Sequence, residues 1–389
     1  MTCIGYALLL ISVIGWLLAG IAVIGALYTL VAAMVVARFF VPQGAAPRST
    51  EAVTLLKPLY GAEPRLFDNL ASFLTLDHDG LVQLLLGVQR ADDPAIAVVE
   101  ALRAAHPGAR IDLVVDPHTH GANGKVANLI NMTPHAAHPL LVLSDSDIAV
   151  EPDYLSRILA TLDAPDVSAV TCAYRGRGDA GFWSRLGAAG LDWHLLPGVI
   201  FGVSTGMAKP CMGSTIALRM ETLAAIGGFD AFADTLADDY AIGQAIIARG
   251  GKIAVPAMLV THAGTDASFA ALWRHEVRWG ATILAVEPLG VTAGVIAMPL
   301  PLALIATAFH PVAGAWALLA ALVTRLALAA TMARTTGSQP ISRALLPLRD
   351  CLTFAGFIAS FFARSVDWRG SHLRIEGSGR VSSGPEISA

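Results

Sequence analysis

Charge is scarce in this chain. Asp, Glu, Lys and Arg make up 14% of its 389 residues, against about 25% in an ordinary soluble domain. With 55% hydrophobic residues and a mean hydropathy of +0.61, this argues for a membrane protein carrying a soluble part. Neither sign of charge dominates: a net charge of −4 gives no reason to expect nucleic acid as a partner. Paired cysteines are lacking as well. Cys3, Cys172, Cys211 and Cys351 are scattered with no CxxC, which offers no disulfide framework or zinc site and fits a reducing compartment. There is no GxGxxG, no GxxxxGK[ST] and no internal repeat, so neither a dinucleotide fingerprint nor a P-loop is indicated.

What the chain does have is uncharged length. Residues 1–37 carry no charge, far beyond the ~18 apolar residues that suggest a spanning helix. A signal peptide needs a basic leader and a short apolar core; neither is present, so residues 1–40 are expected to form an uncleaved anchor. Arg38 and Arg48 follow it and nothing basic precedes it, which predicts a cytoplasmic location for what comes next. A second uncharged stretch covers residues 288–324, with His310 and Pro311 near its middle. As one helix it would reach about 55 Å, too long for a hydrocarbon core of about 30 Å. A hairpin within residues 286–335 is expected instead, with helices over 288–309 and 311–333. Pro299 and Pro301 should kink the first helix, and Arg325 in the second should face protein or snorkel. The apolar run 351–363 is short for a span and suits an interfacial or re-entrant segment within residues 340–389. Arg364, Arg369, Arg374 and Arg380 then form a basic tail. Three spans keep those arginines in the cytoplasm, whereas a fourth would place them outside.

Residues 50–285 read as a different kind of chain. Short β-rich runs at 52–56, 82–88, 111–115, 140–143 and 167–172 alternate with helical stretches opened by Pro64, Pro94 and Pro152. Alternation of this kind predicts a mostly parallel sheet with helices on both faces. Ligands bind such sheets outside the carboxyl ends of the strands, so polar residues just after strands are the first candidates.

"LLVLSDSDIAV" (140–150) runs an apolar strand into Asp145 and Asp147, which alternation puts on one face. Two such carboxylates suit a hard divalent ion, Mg²⁺ or Mn²⁺, or they cap the helix opening at Pro152. "GVQRADDPAI" (87–96) brings Asp92 and Asp93 to another strand end, again as ligands or as caps. "GANGKVANLIN" (121–131) sets Lys125 and Asn128 at a helix start, where a phosphate could sit, although an exposed lysine fits the spacing equally well. In "LADDYAIG" (236–243), Asp239 shares an i, i+3, i+7 face with Ile242 and Ile246, while Asp238 lies roughly 100° away, better placed to cap the helix end. This favours Asp239 as the functional carboxylate. "SFAALWRHEVRWGATI" (268–283) is either a membrane-surface helix anchored by tryptophan and arginine, or a helix on which His275 and Arg278 reach one anionic group.

Taken together, these motifs resemble the D, D, D, (Q/R)xxRW pattern of membrane glycosyltransferases with a GT-A (Rossmann-like) α/β fold. "LLKPLYG", "VQRADDPAI", "KVANL", "SDSDIAV" and "LADDYAIG" are similar to the blocks of ceramide glucosyltransferases over about residues 50–280. "KVANLINM", "PCMGSTIALRMETLAAIGGFDAFADTLADDYAIG" and "LWRHEVRW" resemble, within that family, the bacterial hopanoid biosynthesis-associated glycosyltransferases. The resemblance implies that Asp92 binds the nucleotide, with Lys125 on the phosphate side, and that Asp145 and Asp147 hold a divalent cation. It also implies that Asp239 is the general base and that His275, Arg278 and Trp279 serve the diphosphate and the acceptor. His275 departs from the Gln or Arg of the wider pattern, and Arg274 stands beside it. The implied reaction is inverting transfer from a UDP-sugar, N-acetylglucosamine before glucose, to a membrane lipid at a bacterial inner membrane. The acceptor would be a hopanoid polyol or, alternatively, ceramide. A processive polysaccharide synthase and a non-enzymatic membrane binding protein are the remaining readings.

Overall fold

The computed structural model describes residues 3–41, 44, 46–363, 365–368, 371–375 and 380–383. The five expected strands form, as β1 (Val53–Pro58), β2 (Val82–Val88), β3 (Arg110–Val115), β4 (Leu140–Leu143) and β6 (Val167–Thr171), and the structure adds β5 (Ile148–Ala149), β7 (Ala173–Gly178), β8 (Ile216–Arg219), β9 (Lys252–Ala254) and β10 (Leu259–Gly264). A seven-stranded sheet has the order β3-β2-β1-β4-β8-β6-β9. The first four strands are parallel, whereas β8 runs antiparallel to both of its neighbours. The sheet is therefore mixed, with β8 the antiparallel strand among otherwise parallel neighbours. A smaller sheet, β5-β10-β7, sits at the end of β4.

The helices are α1 (Cys3–Phe39), α2 (Leu66–Ser72), α3 (Ala95–Ala105), α4 (Gly124–Met132), α5 (Tyr154–Leu162), α6 (Phe182–Gly190), α7 (Leu196–Thr205), α8 (Met220–Ala225), α9 (Asp238–Ala248), α10 (Phe269–Val286), α11 (Pro288–Ala293), α12 (Pro299–Phe309), α13 (Pro311–Thr336) and α14 (Leu346–Ser360). The strand period of two sends neighbouring leucines to opposite cores. Leu55, Leu84 and Val142 pack with Leu70, Val99 and Ile158 under α2, α3 and α5. Leu56, Leu85 and Leu141 pack with Val126, Leu129, Ile242 and Ile246 under α4 and α9. Every residue of β1 is buried, as expected where both faces of a sheet are covered.

Among the described residues, three helical segments are long and apolar enough to cross a membrane: 9–39, 182–205 and 311–336. The first and third coincide with the helices expected at residues 1–40 and 311–333. The first limb of the hairpin differs from expectation. It is not one kinked helix over 288–309 but two pieces, Pro288–Ala297 and Pro299–Phe309, bent by 67°. Pro299 has no N–H to carry the first helix onward and starts a new one at its favoured first-turn position. α12 alone has 11 residues and reaches about 16 Å, too short for a span. The 182–205 segment went unrecognised in the sequence because Arg185, Asp192 and His194 interrupt it. It is α6, a π-helical turn Leu191–Leu195 and α7 in succession. α7 lies against the anchor, with the Tyr28 and Phe201 rings 5.0 Å apart and Leu196 and Ile200 in one cluster with Val36 and Met332. α12 and α13 meet closely at Gly314, where a Cβ would lie 2.3 Å from Thr307, so a small residue is required there.

α14 has 15 residues, which suits the interfacial position expected of it. The expected basic tail falls in part, at Arg364 and Arg369, outside the described residues. Arg325 does face protein. Its Nε and Nη2 each donate to Asp350 at 2.8 Å, and Nη1 donates to Trp193 O at 2.7 Å; both charged residues are buried. A buried two-point pair of this kind is destabilising once halved, because the surviving charge keeps its desolvation cost. Arg325→Leu is therefore expected to lower stability by about 3–5 kcal/mol in thermal unfolding of the detergent-solubilised protein. The double variant Arg325→Leu/Asp350→Leu should lie nearer to wild type than either single variant does.

Candidate active site

A cleft of about 570 Å³ opens where β1 and β4 end. β4 stops at Leu143, and the turn after it carries Asp145 and Asp147 before β5 pairs with Thr261 and His262 of β10. α4 begins beside this turn. Its Asn123 cap accepts the N–H of Lys125 and of Val126, which fixes the first helical turn and sends Lys125 into the cleft. The Lys125 ammonium then sits 2.9 Å from Asp145 Oδ1 and 3.1 Å from Asp238 Oδ2. Burial opposes its charge, but Asp145, Asp238 and Asp239 outweigh that and raise its pKa. Lys125 is thus not the exposed helix lysine that spacing alone allowed.

The two carboxylates of α9 divide the work differently from the face argument. Asp238, not Asp239, lies on the stripe with the buried Ile242 and Ile246, at i, i+4 and i+8, and it caps nothing. It is tolerated in the interior because Lys125 neutralises it. Burial pushes its pKa up to about 6, with Lys125 acting in the opposite direction. Asp239 is half-buried at the helix start. It accepts N–H bonds from Gly213 and Tyr240, both at 2.8 Å, and burial raises its pKa also. Both aspartates line the cleft.

α10 supplies the opposite wall. His275, Arg278 and Trp279 fall on the face that lines the cleft. His275 Nδ1 is 2.9 Å from Asp266, and its ring meets Trp279 edge-on at 4.8 Å. Of the residues expected at the site, Asp145, Asp147, Asp239, Lys125, His275, Arg278 and Trp279 come together here. Asp92 does not: it is exposed and ion-paired with Arg90 at 2.6 Å, on the same strand-end side of the sheet but outside the cleft lining. Its neighbour Asp93 is buried and accepts the N–H of Ala95 at 2.8 Å and of Gly61 at 3.0 Å, the capping alternative.

Sequence reasoning missed three contributors. Lys57, at the end of the fully buried β1, donates to Asp145 O at 2.6 Å and to Ser144 Oγ at 3.3 Å beneath the aspartate turn. Burial lowers its pKa to about 7. A lysine inside "VTLLKP" breaks the apolar pattern of a central strand, and that was its signal. His262 Nε2 lies 3.3 Å from Asp147 Oδ2. Gly213 has both of its backbone polar groups engaged: its N–H goes to Asp239, and its carbonyl accepts from Asp145 N at 3.2 Å. A Cβ there would lie 2.7 Å from Asp145 Oδ2.

The donor set fits a hard divalent cation in an open site. Asp147 Oδ1 is buried without a hydrogen-bond partner, and the Asp145 and Asp147 side chains are 35% and 27% exposed towards the cleft. Among the described residues, no three His, Cys, Asp or Glu side chains form a closed metal cage. The partly exposed carboxylates of Asp145 and Asp147 leave room beside them for water and phosphate oxygens.

The chain is 27% identical to "Ceramide glucosyltransferase 1" of Caenorhabditis elegans over 63% of its own length and 54% of that protein. It spans about half the length of the curated relatives it matches. Among solved structures, it is similar to a mannosyltransferase from Pyrobaculum calidifontis in complex with GDP-Man and Mn²⁺. That similarity has 20% identity, 89% and 99% coverage of the two chains and a TM-score of 0.49. Glucosyl-3-phosphoglycerate synthase from Mycobacterium tuberculosis matches at 15% identity, 60% and 79% coverage and a TM-score of 0.40. The profile of "Glycosyl transferase family 21" matches residues 17–381; the chain belongs to this family.

Proposed function

We propose that the chain moves a sugar, with inversion, from a UDP-sugar to a hydroxyl of a membrane lipid. The observation that carries this reading is the pairing, in one cleft, of a carboxylate–lysine cluster with a wall that continues into helices packed on the anchor. The carboxylate end suits a diphosphate leaving group, and the anchor holds the cleft at a bilayer. Asp239 takes the proton from the acceptor hydroxyl as its oxygen attacks the anomeric carbon. Its two backbone N–H bonds fix the carboxylate at the start of α9, so its orientation is set before substrate arrives. Lys125, Arg278 and His275 face the leaving diphosphate, and Trp279 packs against the sugar or acceptor. Asp92 meets the nucleotide from the next strand end. When bound by Asp145 and Asp147, Mg²⁺ or Mn²⁺ would supply further neutralisation of diphosphate charge.

A hopanoid polyol receiving N-acetylglucosamine is the acceptor and donor pair that the motifs in residues 210–243 and 272–279 support. Ceramide receiving glucose is favoured equally by the 27% likeness to a ceramide glucosyltransferase. In both readings residues 1–40 and 286–335 hold the protein in a bacterial inner membrane, with residues 50–285 on the cytoplasmic face. Chromatography and mass spectrometry of products from both acceptors separate the two, and a single added sugar excludes a processive synthase.

Two outcomes follow from these assignments. Asp239→Asn should lower turnover by about 10²–10⁴-fold, the usual contribution of general base catalysis, while UDP binding by calorimetry stays near wild type. Wild-type turnover in that variant would remove Asp239 from the mechanism. Chelation with EDTA should abolish transfer, with recovery on adding Mg²⁺ or Mn²⁺. Asp147→Asn should raise the metal concentration needed for half-maximal rate.

A further inference from the structure

The cleft has an end that the transfer chemistry does not use. α7 presents two faces: Leu196, Ile200 and Gly202 are buried, the first two against the anchor and α13. About 100° around from these, Leu195 at the end of the π-helical turn and Val199 of α7 line the cleft. Across from them α10 contributes Trp279, Ile283 and Val286, at i, i+4 and i+7, a stripe about 10 Å long. Ile283 is 41% exposed. Both apolar stripes line the one cleft whose lining also holds Lys125 and the aspartates. Apolar surface held open to water is unfavourable, and the aliphatic side chains of Leu195, Val199, Ile283 and Val286 offer a diphosphate no hydrogen bond.

We propose that the passage between α7 and α10 holds the hydrocarbon of the acceptor lipid while its hydroxyl reaches Asp239. This inference rests on the lipid-acceptor reading above. The occupant follows from continuity. α7 is packed on α1 and α13, two of the helices long enough to span a bilayer, and α10 leads directly into α11 and α12. Along this wall Leu195, Val199, Ile283 and Val286 take the hydrocarbon, while Thr282, Tyr240 and Glu287 of the same lining give the head group polar contacts on the way to Lys125 and the aspartates. The same helix, α10, carries the apolar stripe at its far end and His275 and Arg278 nearer its start. One rigid element thereby sets the distance between the hydrocarbon and the reacting oxygen.

The test is photo-crosslinking of the full-length protein in phospholipid nanodiscs, using ceramide and a triterpenoid alcohol that each bear a diazirine on the hydrocarbon. Peptide mass spectrometry should find adducts on residues 195–199 and 279–286 with at least one probe. Val199→Trp, which fills the passage, should cut labelling at 279–286 by more than five-fold while UDP affinity by calorimetry is unchanged. Should Val199→Trp fail to fold, Ile283→Ser provides the same comparison with a smaller side chain. Adducts confined to the outer faces of α1, α12 and α13 with both probes, or labelling that Val199→Trp and Ile283→Ser leave unchanged, would overturn the proposal. Labelling in the passage without sugar transfer to either lipid would instead count against the proposed reaction and leave the passage standing.

Discussion

One ammonium group holds the site together. Asp145, Asp238 and Asp239 converge from two separate segments, and carboxylates brought that close in a partly dry cleft repel one another. Lys125 lies between two of them, at 2.9 and 3.1 Å, and so joins the turn after β4 to the start of α9. Other features arrange themselves around this contact. Asn123 fixes the helix turn from which Lys125 projects, Gly213 leaves room for it, and Lys57 braces the aspartate turn from below. Even so, with Asp147 included, the carboxylates outnumber the lysine. A cleft left with that excess of negative charge is suited to gain a divalent cation together with its anionic ligand.

Much of this was legible in the sequence because strand ends and helix starts are marked locally. The apolar run 140–143 followed by alternating aspartates defined both the strand and the position of its carboxylates. Proline and aspartate together announced α3, and Asp93 is indeed its cap. The long apolar helix over residues 9–39 was legible from absence of charge alone. The HxxRW spacing put His275, Arg278 and Trp279 on one face of a helix, and that face does line the cleft.

What was not legible depended on contacts between distant segments. Helical angles could place Asp239 with Ile242 and Ile246, yet an i, i+4, i+8 stripe with Asp238 is equally helical. The choice was made by Lys125, more than a hundred residues earlier, which makes a buried Asp238 tolerable. Lys57 and His262 sit in ordinary-looking strands, and their importance comes from the turn that packs over them. The α6–α7 segment escaped notice because three polar residues interrupt it; in the fold Asp192 and His194 are satisfied internally, Asp192 by Ser338 and the Gly176 N–H, and His194 by Asp350. The break at Pro299 was expected as a kink and is a full change of direction, since its extent depends on how α12 packs on α1 and α13.

The account joins a charged cluster, a base and an apolar passage in one cleft, and its central claim is that the nucleotide-sugar binds at the Asp145–Asp147–Lys125 end. An experimental structure of the full chain with UDP and Mn²⁺ tests this most directly. The account predicts metal density bridging Asp145 or Asp147 to the diphosphate, with Lys125 and Arg278 on the phosphate oxygens and Asp239 left facing the apolar side. Nucleotide bound elsewhere, or metal held by other residues with this aspartate pair unengaged, would contradict it.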